Sequence, residues 1–364
     1  MNELVHGEIS AEHVISQLQL IGINGVSTSE VKRFSNGAIN STFSIRDLVV
    51  KMNSRSQQMY LPNKIVWDHF RNEPELKIVN VLQYDARVRV PYEILVMKRS
   101  RGSPLTADLL HMTRNDIEQA FRETLAIMRR VMTEVHPPGG GFGEVNGIWD
   151  SDQTYRAPAS FASVSDFVRA DLASAAHLLN AHRILDEDRV SRLERYTREH
   201  LCVFEHPLPH ERVPCLVHQD MHWENLLHEG PSLSAILDWD LSVWATPLFA
   251  LLMLLDSIAC PSTLLPSYAQ LAPLEDHLVE WLLPVLRDAF KEEFADAALL
   301  RKLSLLRLRS CLVFFQCHSP ASIRRSGLDR ELERIVENEL VGDGHEELSH
   351  THFGQILSEM KNKK

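Results

Sequence analysis

Between Pro214 and Asp240 the chain reads Pro-Cys-Leu-Val-His-Gln-Asp-Met-His-Trp-Glu-Asn-Leu-Leu-His-Glu-Gly-Pro-Ser-Leu-Ser-Ala-Ile-Leu-Asp-Trp-Asp. Residues 225–228 and 233–238 are short apolar runs joined by Glu229-Gly230-Pro231-Ser232, a good turn sequence. Folded as an antiparallel pair about that turn, they bring Asn225 and Asp238 nearly opposite each other at the open end, with Cα atoms roughly 5 Å apart. An amide oxygen beside a carboxylate is a pair of hard oxygen ligands, suited to Mg²⁺ next to phosphates. Asp220, on the loop entering this hairpin, is well placed to accept a hydroxyl proton. Asp240 either helps frame the metal site or is an exposed turn carboxylate.

The elements that would position these groups fall into two sections. In the first hundred residues Ser10 can N-cap a short helix carrying Val14, Ile15, Leu18 and Ile21 on one face, with Gly22 as its stop. A small-residue polar turn, Ser35-Asn36-Gly37-Ala38-Ile39-Asn40, precedes two β-favouring runs, 42–45 and 48–52, separated by Arg46-Asp47. Further strands are expected at Ile78–Tyr84 and Ile94–Met97, and a polar stretch from Lys98 to Pro104 reads as a linker. Beyond it the pattern turns helical: Thr106–Val135 is one periodic run ended by Pro137-Pro138, 139–147 is a glycine-rich loop, and Ser165–Leu201 reads as two helices. From Ser267 onward the chain is again predominantly helical, so 214–239 is a β-like island in helical surroundings.

Charge divides at the same place. Residues 1–104 carry 13 Lys/Arg and 10 Asp/Glu, whereas the remainder carries 25 and 39, a net charge of −14. Such a surface is either plain solvated helix or an anionic floor for a cationic substrate. The whole chain, at −11 over 364 residues, is a poor non-specific nucleic-acid binder. Its longest apolar run, Leu248–Leu255, is too short to span a bilayer, and Glu3, Glu8 and Glu12 stand where a signal peptide would be basic. Five scattered cysteines without a C-x-x-C read as reduced thiols of a cytoplasmic protein. His218 and His222 lack the H-E-x-x-H order of a helical zinc site. The glycines at 139–143 do not follow a strand with dinucleotide-binding spacing, and no G-x-x-x-x-G-K-[ST] is present.

The spacing His218-x-Asp220-x-x-x-x-Asn225, followed by Asp238 at a strand end and then Trp239, resembles the catalytic loop of the aminoglycoside phosphotransferase and choline kinase-like family within the protein-kinase-like superfamily. The resemblance extends over most of the chain. Residues 35–40 are similar to the family's phosphate-covering loop, and Val49-Val50-Lys51 to its lysine strand. Ile94–Met97 followed by Gly102–Leu105 is similar to the strand and hinge between lobes, and His136–Gly143 to a loop between large-lobe helices. It implies an α+β, two-lobed protein-kinase-like fold: a β-rich nucleotide-binding lobe over 1–97, a hinge at 98–104, and a large, mainly helical lobe over 105–364.

By that resemblance Asp220 is the catalytic base, Asn225 and Asp238 hold Mg²⁺, and His218 is a structural member of the loop. Lys51 reaches the phosphates of ATP, Val49 borders the adenine, and Asn40 and Met97 complete the nucleotide site. Two departures are visible. Relatives usually pair the lysine with a Glu on the small-lobe helix, where this chain has Gln57, Gln58, Asn63 and Asp68, with no Glu after Lys51 until Glu73. A downstream pair of acids is replaced within Ala245-Thr246-Pro247-Leu248-Phe249-Ala250-Leu251. The expected activity is transfer of the γ-phosphoryl group of ATP to a hydroxyl of a small, cationic acceptor. No nucleic-acid or membrane partner is expected, and the sequence leaves the oligomeric state undetermined. The alternatives are a nucleotide- or ligand-binding pseudokinase without turnover, and a metal-dependent hydrolase using His218, His222 and Asp238.

Overall fold

The computed structural model describes residues 9–34, 41–149, 154–259, 261 and 266–316. In chain order the elements are α1 (Ala11–Leu20), β1 (Val31–Arg33), β2 (Ser41–Ile45), β3 (Leu48–Asn53), α2 (Leu61–Phe70), β4 (Val81–Ala86), β5 (Glu93–Lys98), β6 (Ser103–Pro104), α3 (Leu105–Asp108) and α4 (Arg114–Glu134). Three short strands follow, β7 (Gly143–Glu144), β8 (Ile148–Trp149) and β9 (Tyr155–Arg156), then α5 (Val164–Ala181), α6 (Glu187–His200) and β10 (Cys215–Val217). Next come β11 (Leu226–Glu229), β12 (Ser232–Ile236), β13 (Val243–Ala245), α7 (Pro247–Ala259), α8 (Glu275–Ala289), α9 (Lys291–Phe294) and α10 (Leu299–Gln316).

The chain divides into two compact units. The first comprises Met1–Leu105, Glu144–Ala159 and Glu224–Ser242; the second comprises Thr106–Gly143, Ser160–Trp223 and Val243–Lys364. The break at Leu105 adjoins the expected hinge, but the sequence reading kept 105–364 in one lobe and the structure returns two later segments to the first unit. Long-range pairing is the physical reason. The β11–β12 hairpin bonds β6 along one edge and bridges Ile78 to Ile236 along the other. The 144–159 segment is tied to the loop before α2 by Gln58 N donating to Gly147 O at 2.8 Å and Trp149 N to Ser56 O at 2.6 Å.

The first unit is built on an antiparallel sheet in the order β1-β2-β3-β5-β4. Period-2 alternation sorts its side chains. Val50, Met52, Ile94 and Val96 face α1, whose Val14 and Leu18 are fully buried against them together with Phe43 and Ile45. Each such aliphatic side chain contributes about 1.5–3 kcal/mol by leaving water. Ser10 caps α1 as expected, its Oγ accepting from His13 N, and Gly22 ends it at φ +94°. The opposite sheet face carries Val49, Leu95 and Met97, which pack with Tyr60, Val81, Leu227, Ala235 and Leu237.

The β2–β3 hairpin pairs Ile45 with Leu48 across Arg46-Asp47, as the sequence suggested. Arg46 sits at φ +54°, an unfavourable region for an L-residue with a long side chain. Its guanidinium is anchored to the Glu30 carboxylate at 2.6 and 2.9 Å and to Gly25 O at 2.5 Å. Those bonds offset the backbone cost.

In the second unit the expected single helix over 106–135 is two. Residues 109–113 break it, and Thr113 starts α4 with a capping box, its Oγ1 accepting from Asp116 N while Asp116 accepts from Thr113 N. The buried stripe of α4, from Ile117 through Phe121, Leu125 and Met128 to Val131, packs on β10, which pairs with β13 in the register Cys215↔Ala245. α10 lies against α5 and α7. Among the described residues no helix is long and apolar enough to cross a membrane.

Gly102, which leads into β6, has φ +91°, and a Cβ there would run into the His228 carbonyl and Ser234 Oγ. Gly102→Ala is therefore expected to destabilise the protein by about 1–3 kcal/mol, read as a lower urea midpoint with an unchanged slope; an unaltered midpoint would contradict the packing.

Candidate active site

In the first unit the sheet face carrying Val49 and Met97 also carries Lys51. Val49 lies directly across from Met97 on β5, and Lys51 across from Leu95. Met97 is buried and Val49 half-buried, so a small apolar floor adjoins the lysine on one side of one strand pair. Lys51 Nζ sits 5.7 Å from the centre of the Tyr60 ring. It donates to Asp238 Oδ1 at 2.7 Å and to Asp240 Oδ2 at 2.9 Å.

Both aspartates come from the chain leaving β12. The hairpin turn is tighter than the four-residue turn read from sequence: Glu229 pairs with Ser232, and a bulge between Leu227 and His228 absorbs the mismatch. Leu226 then faces Ile236, and Leu237 N donates to Asn225 O at 2.8 Å. Asn225 therefore lies opposite Leu237, one residue from the partner first expected, and Asp238 follows at the same open end. Asp238 has φ +61° and ψ +55°, a left-handed conformation rare for a non-glycine residue. It initiates a short 3-10 turn, Trp239–Leu241.

Asp240 corrects one expectation. It is no exposed turn carboxylate; its side chain is 5% exposed. Its Oδ1 accepts from Asn63 Nδ2 of α2 at 2.7 Å, and its backbone oxygen from Asn146 Nδ2 at 2.8 Å. Asp68, the acid on α2, pairs instead with Lys64 one turn earlier on the helix surface. Burial works against the charge on Lys51, but Asp238 and Asp240 outweigh it and raise its pKa. Because two carboxylates share one ammonium, burial and the neighbouring Asp238 raise the pKa of Asp240, with Lys51 opposing.

Asp220 belongs to the second unit. Its backbone N–H donates to His218 Nδ1 at 3.1 Å, so that nitrogen is unprotonated, and His218 is 1% exposed. The half-exposed Asp220 carboxylate has His222 Nε2 at 3.4 Å, while His222 Nδ1 is hydrogen-bonded to Tyr268 Oη at 2.8 Å. Trp223 Nε1 donates to Ser257 O at 2.8 Å, and Ser257 Oγ donates to Met221 O at 2.6 Å, pinning the loop to α7. Arg309 of α10, 1% exposed, donates to Gln219 Oε1 at 2.7 Å and to Asp171, its guanidinium packed on Phe167 and Phe249. These contacts support the loop although the two downstream acids are replaced.

The structure thus gathers Lys51, Val49, Met97, Asn225 and Asp238 in one unit and carries Asp220 in the other. Asn40 lies outside the described residues. Asp240, Asn63 and Arg309 were not assigned these contacts from sequence. Arg309 had a legible signal: Lys302, Leu305, Leu306, Arg309 and Leu312 form one helical stripe, so two cations fall on an apolar face and need buried partners. Lys302 meets that need with Glu211 at 2.7 Å and Asp296 at 2.8 Å. Asp240 had no comparable signal.

Among the described residues, no group of three or more His, Cys, Asp or Glu side chains could by itself hold a metal ion. One carboxylate and one amide at adjoining strand ends instead suit a Mg²⁺ that takes its remaining oxygens from phosphates and water.

The fold is protein-kinase-like. The sequence profile of the phosphotransferase enzyme family matches residues 30–281, more than half of the chain, and the chain belongs to that family. Among solved structures it is similar to a thermostable mutant of aminoglycoside phosphotransferase APH(4)-Ia in ternary complex with AMP-PNP and hygromycin B. The identity is 15% and the TM-score 0.57, over 89% of this chain and 98% of that one. It is also similar to the gentamicin–APH(2")-IIa complex, with 14% identity and a TM-score of 0.53 over 96% and 99% of the two chains. No curated protein matches the sequence.

Arg309→Met is expected to cost about 3 kcal/mol in urea unfolding, chiefly by stranding Asp171, and adding Asp171→Leu should return most of it; equal losses in the single and double variants would contradict this account. A second expectation concerns pH. Burial pushes the Asp256 carboxyl of α7 up to about 6 against the pull of Arg307, from an ordinary value of 3.8. The native state then holds a proton that the unfolded chain releases, so this group's contribution to stability falls as pH rises from about 4 through 6. Asp256→Asn should accordingly be more stable relative to wild type at pH 8 than at pH 4, which thermal melts at the two pH values would read.

Proposed function

We propose that this protein is a Mg²⁺- and ATP-dependent phosphotransferase that moves the γ-phosphoryl group of ATP to a hydroxyl of a small, cationic acceptor such as an aminoglycoside-like antibiotic or related metabolite. The observation that carries the reading is the meeting of Lys51 and Asp238 at 2.7 Å beside the apolar Val49–Met97 pair. An adenine fits an apolar floor, phosphates an ammonium, and a divalent cation a carboxylate. Family membership supports the reaction class. The relatives of similar fold support the substrates by analogy: one was solved with AMP-PNP and hygromycin B, another with gentamicin. The acidic balance of residues 105–364 favours a cationic acceptor.

In this reading Val49 and Met97 form an apolar floor bordering the adenine, Asn40 adds a nucleotide contact, and Lys51 holds the phosphates. Asn225 and Asp238 hold Mg²⁺, which when bound supplies neutralisation of the charge on the transferring phosphoryl oxygens. Asp220 orients the acceptor hydroxyl and takes its proton. The hydroxyl oxygen bonds the γ-phosphorus, the bond from that phosphorus to the bridging oxygen breaks, and ADP departs. Positioning and charge placement do most of this work, which is why fixed side chains matter more than reactive ones.

The test is acceptor-stimulated ADP release from Mg·ATP over a panel of aminoglycosides, macrolides, choline-like alcohols and amino-sugars. Asp220→Asn should lower kcat by a factor on the order of 10² or more with nucleotide affinity retained, and Asp238→Ala should abolish Mg²⁺-dependent nucleotide binding. A fully active Asp220→Asn would reject the assignment of the base. Tight Mg·ATP binding with no release for any acceptor would favour a non-catalytic nucleotide-binding protein.

A further inference from the structure

Lys51 is 8% exposed, and an ammonium so far from water needs a counter-charge that stays in place when ligands come and go. Its two partners differ in that respect. Asp238 is 39% exposed and, if the proposed function holds, is shared with a metal ion; Asp240 is 5% exposed and faces no solvent to speak of. Both carboxylate oxygens of Asp240 accept from fixed donors, Oδ2 from Lys51 and Oδ1 from Asn63 of the buried stripe of α2. Asn146 of the 144–159 segment holds the backbone at the same residue. Within α2 the sole acid, Asp68, is turned to Lys64 at the surface. The helix therefore offers the lysine no carboxylate of its own. It offers an amide that orients a carboxylate from another segment.

We infer that Asp240, oriented by Asn63, is the positioning residue that sets Lys51 for the nucleotide phosphates, so that α2 acts on the lysine through an Asn–Asp–Lys chain instead of a helix-borne acid. The inference rests on the nucleotide-binding reading above. It makes Asp240 neither a base nor a metal ligand. Its effect reaches the nucleotide only through Lys51, and so only through the phosphates.

The experiment compares binding of Mg·ATP and of adenosine, by calorimetry on the full chain, in wild type, Asp240→Asn and the double variant Asn63→Asp/Asp240→Asn, with thermal melts alongside. Asp240→Asn should weaken Mg·ATP at least tenfold and adenosine less than twofold. The double variant exchanges carboxylate and amide across the same hydrogen bond, conserves the charge count, and should bring Mg·ATP affinity back to within about threefold of wild type. Should Asp240→Asn fold poorly, the double variant and Lys51→Met/Asp240→Asn still decide. Combined with Lys51→Met, the Asp240 change should add no further loss of ATP affinity. Wild-type Mg·ATP affinity in Asp240→Asn would overturn the inference, as would parallel loss of ATP and adenosine or a loss reversed by excess Mg²⁺. If wild type itself failed to bind Mg·ATP, the proposed function would fall, and this inference with it.

Discussion

An ammonium group buried between two aspartates organises the first unit. Taking Lys51 out of water is tolerable because Asp238 and Asp240 both reach its Nζ within 3 Å. That condition in turn dictates the backbone around it. Asp238 must adopt a left-handed conformation for residues two apart to converge on one amine, and the 3-10 turn that follows returns Asp240 to the interior. Asn63 and Asn146 then have to come from two other segments to satisfy what that turn buries. The β3 strand, the β11–β12 hairpin, α2 and the 144–159 segment are thus joined by one polar network inside an apolar cluster. Apolar packing alone would tolerate several arrangements of these pieces. A buried charge with few acceptable partners tolerates far fewer.

The second unit solves a related problem with the sign of the fixed group unchanged. Arg309 is buried on two aromatic rings, paired with Asp171, and spends one remaining donor on Gln219, the residue before Asp220. The loop is further held by Ser257 through Met221 and Trp223. Asp220 can therefore keep a half-exposed carboxylate while the residues on both sides of it are immobilised. Pre-orientation by neighbours, with the carboxylate itself left accessible, suits the proton-acceptor role proposed for Asp220.

What the sequence disclosed is what short-range physics records. The β2–β3 hairpin, the cap and stop of α1, and the pairing of 225–228 with 233–238 all follow from period-2 alternation, turn residues and capping, and all are present. Even the error at Asn225 was one residue, because a bulge at 227/228 compensates for a tighter turn. The contacts that escaped notice span 90 to 180 positions: Asn63 to Asp240, Asn146 to Asp240, Arg309 to Gln219. No local pattern encodes those. The return of 144–159 and 224–242 to the first unit escaped for the same reason, since edge-strand pairing and isolated backbone bonds leave no periodicity behind. Family resemblance supplied the roles proposed for Asp220, Asn225, Asp238 and Lys51, but it pointed to α2 for the lysine's partner, where Asn63 contributes an amide to Asp240 and Asp68 turns to Lys64.

Placing that partner on Asp240 changes how the site can move. A helix-borne acid can be withdrawn from the lysine by a shift of the helix alone. Here both acids that meet Lys51 stand on one turn, two residues apart, so any displacement of that turn moves Asp238, the carboxylate proposed to hold Mg²⁺, and the lysine's anchor together. The helix keeps a hold through packing on the 239–241 turn and through the Asn63–Asp240 hydrogen bond, a contact to a charged group worth about 1.5–3 kcal/mol. Motion of α2 therefore reaches Lys51 through Asp240, whereas motion of the 238–241 turn breaks both of the lysine's ion pairs in one step. Under the proposed function, the turn after β12 is therefore where the nucleotide-facing charges of this unit are set together.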